Sequence, residues 1–237
     1  GSQRLPIHWG GDSTSDYPSM AESLRAGLSF GLGGFGYWSH DISGFEAGST
    51  PDLYKRWTQF GLLSSHSRYH GSWEYKVPWV YDDEAVAVAK AFTKLKLSLM
   101  PYLQAQSVLT AQTGIPMMRA MVLEFPEDEM THHLDRQYML GEHLLVAPIF
   151  NDQGTVSFYV PKTKGHWIDY LSGKAYEGGH WYQETYDYFH LPLLVRPNQL
   201  IIEGHEQTKA VYDYAQHPTI HLFDPQDKTT AIIYDHH

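Results

Sequence analysis

The sequence has no cysteine, which excludes a disulfide-stapled scaffold and any thiolate metal centre. Positive charge is scarce as well: 17 Lys and Arg stand against 27 Asp and Glu, for a formal net charge of -10. A nucleic-acid partner is disfavoured on that ground, because displacing phosphate counterions takes clustered cations and no basic stripe occurs. No run reaches the ~20 apolar residues of a membrane helix, and no charged-then-apolar leader opens the chain. These absences read together as a cytoplasmic protein with neither nucleic acid nor membrane as its partner. Gly1-Ser2 reads as a cloning scar and His236-His237 as the remnant of a tag.

What is there is globular. The 237 residues are 42% hydrophobic and 19% charged, enough for one large domain or two small ones. The outlier is the aromatic share of 14%, with 17 Tyr, 10 Phe and 7 Trp. Rigid flat rings suit stacking on sugars, although any single ring more often fills a core.

From Ile7 to about Leu123 short apolar runs alternate with helical patterns, as expected of βα units around a parallel sheet. Ile7 to Trp9 is one such run. Ser19 with Glu22 three positions on forms a capping box, which predicts a helix over about Ser19 to Leu28. Phe35 to Trp38 is the next apolar run, followed by the polar loop Ser39 to Gly48. Thr50 offers an N-cap hydroxyl and Pro51 a first-turn proline, and Leu53, Trp57, Phe60 and Leu63 then mark a buried helical face. Asp82, Asp83 and Glu84 place negative charge where a third helix starts. Gly114 ends the helical region and Met117 to Leu123 reads as a strand. Beyond about Arg136 the pattern changes to short β-like runs with Gly and Asn/Asp turns, among them Val156 to Val160, Trp167 to Leu171, Leu200 to Ile202, Ala210 to Tyr214 and Ile220 to Phe223. An antiparallel β-sandwich is the natural reading. The expected organisation is residues 1–135 as the βα part, 136–225 as the sandwich and 226–237 as a tail or the start of a further domain.

Three polar clusters follow apolar elements in the first part. His8-Trp9-Gly10-Gly11-Asp12 puts an acid just past a strand and two glycines, at the edge where barrels hold their chemistry. Read alone, Asp12 is more commonly a turn-capping aspartate with Ser13 and Ser15. Trp38 to Phe45 repeats the arrangement, with Asp41 about one βα unit beyond Asp12. Ser64 to Gly71 follows the second helix. His66 and His70 are spaced as metal ligands on a helix can be, but the segment lacks a metalloprotease glutamate and a third ligand, so no metal is expected.

In order and spacing, these segments resemble glycoside hydrolase family 31. The resemblance continues through Pro116 to Met121, Glu124-Phe125-Pro126, Tyr138 to Gly141 and Val146-Ala147-Pro148, covers roughly residues 4 to 200, and is closest to the α-xylosidase branch. It implies the last strands and helices of a (β/α)8 TIM barrel followed by an antiparallel β-sandwich. It implies hydrolysis of terminal non-reducing α-linked xylosides with retention, no cofactor, and an oligosaccharide or α-glycoside as substrate. Asp12 matches the general acid/base, while Trp9, Asp41, Phe45 and His70 match residues lining the sugar pocket. The roles are chemically sensible. A retaining glycosidase needs a carboxylic acid to protonate the leaving oxygen and, as carboxylate, to activate water. Trp9 and Phe45 can flank the ring, and Asp41 and His70 can bind its hydroxyls.

The departure is at the front. Retention needs a second carboxylate ~5 to 5.5 Å from the first, and in the family that nucleophile lies upstream of the Trp9 to Asp12 phrase, so it is not among these residues. A whole barrel takes ~250 residues; about three strands of one are expected here. The chain is therefore expected to be part of an α-glycosidase, an α-xylosidase or else an α-glucosidase of the same family. The alternatives from other classes are a non-catalytic, self-associating fragment with residual sugar binding and a β-rich interaction module. Open sheet edges would be closed either by the missing N-terminal half or by homo-oligomer formation.

Overall fold

The computed structural model of the protein describes residues 2–234; Gly1 and residues 235–237, with the histidine pair read as a tag, lie outside the described residues. Strand β1 (Ile7–Trp9) leads into helix α1 (Tyr17–Leu32), whose start differs from expectation. The N-cap is Asp16, whose carboxylate accepts the backbone N–H of Ser19 at 2.7 Å. Asp is a strong cap, and Pro18 tolerates the first turn, so the helix begins two residues before Ser19. Strands β2 (Tyr37–Ser39) and β3 (Asp41–Ile42) follow, separated by His40. Strand β2 pairs in parallel with β1, Trp9 opposite Ser39.

Helix α2 (Pro51–Leu62) starts as the sequence predicts, Thr50 Oγ1 accepting from the Leu53 N–H at 3.2 Å. Leu53, Trp57, Phe60 and Leu63 are all buried. After it comes β4 (Arg68–Tyr69), parallel to β3 with Asp41 opposite Arg68. Helix α3 (Asp83–Ser98) is capped by Asp82, and α4 (Met100–Thr113) ends at Gly114. The first part is thus three successive βα steps, their strands parallel and their carboxyl ends on one edge, the arrangement expected of part of a barrel.

The strand expected over Met117 to Leu123 is shorter and belongs elsewhere. β5 (Met118–Ala120) runs directly into a single helical turn, α5 (Met121–Glu124), and pairs antiparallel with β6 (Tyr138–Leu140). The division expected near residue 135 therefore falls in the connection between two paired strands of one sheet. That sheet continues through β7 (Leu144–Val146), β9 (His166–Asp169), β10 (Ala175–Glu177) and β12 (Leu193–Val195), in the order β10-β9-β12-β7-β6-β5. The ladder of β8 (Thr155–Val160) with β11 (His180–Thr185) faces it, Phe158 meeting Tyr176 edge-on at 5.7 Å. β13 (Gln199–Glu203) and β14 (Thr219–Phe223) form a further antiparallel pair. Residues 210–214, expected as a strand, are irregular; Tyr212 instead anchors the loop by donating to the Leu97 carbonyl at 2.6 Å.

Helix α2 binds the two parts together. Gln59 donates to the carbonyls of Tyr188 and His190, Arg56 to those of Tyr186 and Asp187, and Asp52 accepts from the hydroxyls of Tyr17 and Tyr188. A buried Arg and Gln are tolerable here because both Arg56 Nη groups and the Gln59 amide end on backbone carbonyls. The inner face of α2 lies so close to β3 that a Cβ on Gly61 would sit 2.2 Å from Ile42 Cγ1. Gly61→Ala is accordingly expected to destabilise the chain by ~1–3 kcal/mol through overpacking, read as a lower urea midpoint. An unchanged midpoint would mean that α2 can shift away from β3 without loss.

Candidate active site

The backbone after β1 is shaped by two glycines with different jobs. Gly10 lies against Trp38, where a Cβ would come within 2.7 Å of the indole, and Gly11 takes a left-handed φ of 87°. The turn delivers Asp12, exposed, past the carboxyl end of β1. After β3 the chain turns through Ser43 and Gly44, with φ of 76° and 79°. Gly44 has no alternative, since a Cβ would meet the Ser15 backbone at 2.7 Å. That approach lets Phe45 and Glu46 both donate to the Ser13 carbonyl at 2.8 Å while Ser15 donates to that of Glu46 at 3.0 Å. The Asp12 and Phe45 loops are in this way joined through backbone hydrogen bonds.

The third loop joins them from β4. His70 packs against Phe45, the rings tilted by 31° with centroids 5.0 Å apart, and Ser72 donates its backbone N–H to the Phe45 carbonyl at 3.1 Å. Glu74, accepting from Ser49 N–H, the Tyr81 hydroxyl and Lys76, closes the far side. Trp9, Asp12, Asp41, Phe45 and His70 thus all sit at or just beyond the carboxyl ends of adjacent parallel strands, and none is diverted to the opposite edge.

Their exposure separates them. Trp9 is 46% exposed, and Asp12 and His70 are open to solvent, but Asp41 is 0% exposed. Asp41 Oδ1 accepts from Arg68 Nε at 2.8 Å, Arg68 Nη2 at 2.7 Å and Trp9 Nε1 at 3.2 Å. The expected hydrogen bond from Asp41 to a sugar hydroxyl has no open path in this arrangement; its carboxylate lies beneath the cluster. Arg68, not singled out from the sequence, is its partner because the parallel register puts the two opposite each other. Nothing in the linear sequence marks Arg68 rather than Arg56 as that partner; the register of β3 and β4 selects it.

Below the loops is a buried polar layer. His40 Nδ1 accepts from Trp57 Nε1 at 3.0 Å and its Nε2 meets Ser64 Oγ at 3.1 Å. Burial, with a contribution from nearby Lys96, pushes this imidazole down to about 3. Lys96, itself pushed down to about 8 by burial, donates to the Ser64 carbonyl and to Ser67 Oγ, bracing the turn that leads to Arg68. A histidine that stays neutral when folded but protonates normally when unfolded contributes stability that is complete above about pH 6.5 and declines as pH falls toward 3. The loss from pH 6.5 to 5 is expected to be roughly 2 kcal/mol from His40. Urea titrations at the two pH values measure it, and His40→Gln should flatten the dependence. An unchanged slope in that variant would contradict the assignment.

Residues 1–106 match the family model for the glycosyl hydrolases family 31 TIM-barrel domain, and residues 114–201 that for the glycosyl hydrolase family 31 C-terminal domain. An α-xylosidase of Emericella nidulans is 52% identical over 206 residues, 84% of this chain and 26% of that protein. The α-xylosidase XylQ of Lactiplantibacillus pentosus is 48% identical over 250 residues, 100% of this chain and 32% of that protein. The chain therefore spans about a quarter to a third of the length of these relatives. Among solved structures, a Flavobacterium johnsoniae GH31 dextranase complexed with glucose superposes with a TM-score of 0.82 at 30% identity, over 94% of this chain and 29% of that one.

Proposed function

The chain belongs to glycoside hydrolase family 31, and from that premise we propose that it supplies the acid/base side of a retaining α-glycosidase site acting on terminal α-linked xylosides. The observation that carries this reading is the convergence of Asp12 with Trp9, Phe45 and His70 at one edge of three parallel βα steps. Asp12 stands free enough to reach a glycosidic oxygen. Its proton passes to that oxygen as the bond to the anomeric carbon breaks; after a carboxylate has taken the anomeric carbon, Asp12 as carboxylate accepts a proton from the attacking water. The attacking carboxylate lies, on this reading, on barrel strands outside these residues. Trp9, Phe45 and His70 line the ring's binding place, the aromatic surfaces excluding water and the imidazole meeting hydroxyls.

The xyloside assignment rests on the α-xylosidases that are 52% and 48% identical. A second reading, an α-glucosidase of the same family, is favoured by the likeness to a dextranase solved with glucose. The two sugars differ by a hydroxymethyl group, for which a pocket wall gives ~10- to 200-fold discrimination. Initial rates of the complete natural polypeptide carrying this sequence, on an aryl α-xyloside and the matching α-glucoside, decide between them. A kcat/KM preference of at least about tenfold for the xyloside is expected; a preference for the glucoside would reverse the substrate assignment, and turnover of neither would overturn the enzymatic reading.

A further inference from the structure

We propose that Asp41 and Arg68 are a positioning pair, which fixes the Trp9 indole for the substrate and does not itself touch the substrate. The inference rests on the proposed sugar-facing role of Trp9 and assigns the reason that indole is held in one orientation.

The geometry is specific. Three N–H groups converge on a single oxygen, Asp41 Oδ1: two from the side of the Arg68 guanidinium and one from Trp9 Nε1. The same guanidinium carbon lies 5.4 Å from the centre of the Trp9 ring. An indole on a strand end has two side-chain torsions to set. The carboxylate restrains the N–H edge, and the cation lies against the ring system, so both are restrained at once. Trp9 nevertheless keeps 46% of its surface exposed, which leaves area on the indole for a sugar ring. The other members of the cluster are fixed by different means, Phe45 by its tilted ring contact with His70 and Asp12 through its backbone turn.

Asp41 is suited to holding and unsuited to binding. It is 0% exposed, while its partner Arg68 has 45% of its side chain exposed. Exposed ion pairs contribute little, but a buried carboxylate that loses its cation is left as an uncompensated charge. Asp41 Oδ2 is already buried without a hydrogen-bond partner, so Arg68 and Trp9 carry all of its compensation. The carboxylate is further fixed from behind, since the preceding residue, His40, is bonded to Trp57 and Ser64. A buried carboxylate held through one oxygen needs an explanation other than stability alone, and the orientation of the indole supplies one.

The seven tryptophans give seven indole N–H signals in a ¹⁵N-correlated spectrum of the 237-residue chain, and loss of one in Trp9→Phe identifies Trp9. Arg68→Gln and Asp41→Asn are expected to move that signal and to speed its exchange with solvent by about tenfold or more, leaving the other six in place. Arg68→Lys, which keeps the charge without the two-pronged grip, should fall between. In the complete polypeptide, Arg68→Gln should lower kcat/KM roughly tenfold to a hundredfold, and adding it to Trp9→Ala should cost little more, because both changes act through one ring. Arg68 is half-exposed, so its replacement decides the matter even where Asp41→Asn fails to fold. An unmoved Trp9 signal in folded Arg68→Gln overturns the proposal. Additive losses with Trp9→Ala also overturn it, since they mean that Arg68 contacts substrate directly. A Trp9 signal that responds in a polypeptide with no glycosidase activity would instead leave the pairing intact and remove the enzymatic reading.

Discussion

Replacing Asp12 with asparagine in the complete polypeptide is expected to slow hydrolysis of α-glycosides with basic leaving groups by about 10²- to 10⁴-fold, with a much smaller loss for glycosides of acidic phenols in the bond-breaking step. Asparagine is close to isosteric and keeps the turn, in which Gly11 and not Asp12 bears the left-handed conformation, so the change removes the proton and little else. A sugar alkoxide must be protonated as it departs, whereas a nitrophenolate leaves unaided, and general acid catalysis is worth most where the leaving group is most basic. On the proposed mechanism the second step also uses Asp12, as the base that activates water. For the activated substrate that step then limits turnover, and a small anionic nucleophile such as azide, which requires no base, should restore it and yield a glycosyl azide. Steady-state rates over a series of aryl leaving groups test both roles: a steep dependence on leaving-group pKa is expected in Asp12→Asn and a shallow one in the parent. Equal losses across the series, with no effect of azide, would make Asp12 a structural residue.

How far the sequence discloses this site depends on how local the determining physics is. Helix α2 is legible because its start signal, Thr50 with Pro51, and its apolar face agree; nothing competes with them. Helix α1 is read two residues late because Asp16 and Ser19 are both good caps, and only the chain's entry into the turn selects the carboxylate. The affiliation of β5 is not local at all. Met117 to Leu123 is, apart from Arg119, apolar enough for a barrel strand, but its Met118 to Ala120 portion pairs with residues 138–140, a choice made by tertiary contact. The loss of the expected strand over residues 210–214 has the same origin, Tyr212 being used as an anchor against the end of α3. In the site, the strand-end glycines and acids stand out as a linear phrase, so the placement of Asp12 and Asp41 at strand ends can be read from sequence, whereas Trp9, Phe45 and His70 are reached only through the family resemblance. The burial of Asp41 and its grip on Arg68 cannot be read there, because they follow from the parallel register of β3 and β4, which the sequence does not number.

Expressed on their own, the 237 residues are expected not to hydrolyse aryl α-xylosides or α-glucosides at a rate near ~1 s⁻¹, the low end for an enzyme, even though the barrel part and the sandwich share one continuous buried core. Asp12 can give up a proton, but retention also requires a carboxylate ~5 to 5.5 Å away to take the anomeric carbon. Asp41 cannot serve, since it is buried and its Oδ1 is committed to Arg68 and Trp9. Acid catalysis alone is worth ~10²- to 10⁴-fold, against the ~10⁶-fold or more by which enzymes accelerate their reactions. The open side of the site compounds the deficit: Trp9 and its neighbours face solvent there, and a charge interaction worth ~4 kcal/mol at 4 Å near a protein surface falls to ~1 kcal/mol in bulk water. The assay is an aryl α-xyloside and an aryl α-glucoside incubated with the purified chain, beside an Asp12→Ala control that reveals contaminating glycosidase. Turnover abolished by Asp12→Ala would show that a carboxylate does reach the site. Its dependence on protein concentration would then locate that group: a specific activity rising with concentration places it on a second copy of the chain, and a constant one places it within the same polypeptide, with Glu46, whose backbone bonds to Ser13 beside Asp12, as the first residue to replace.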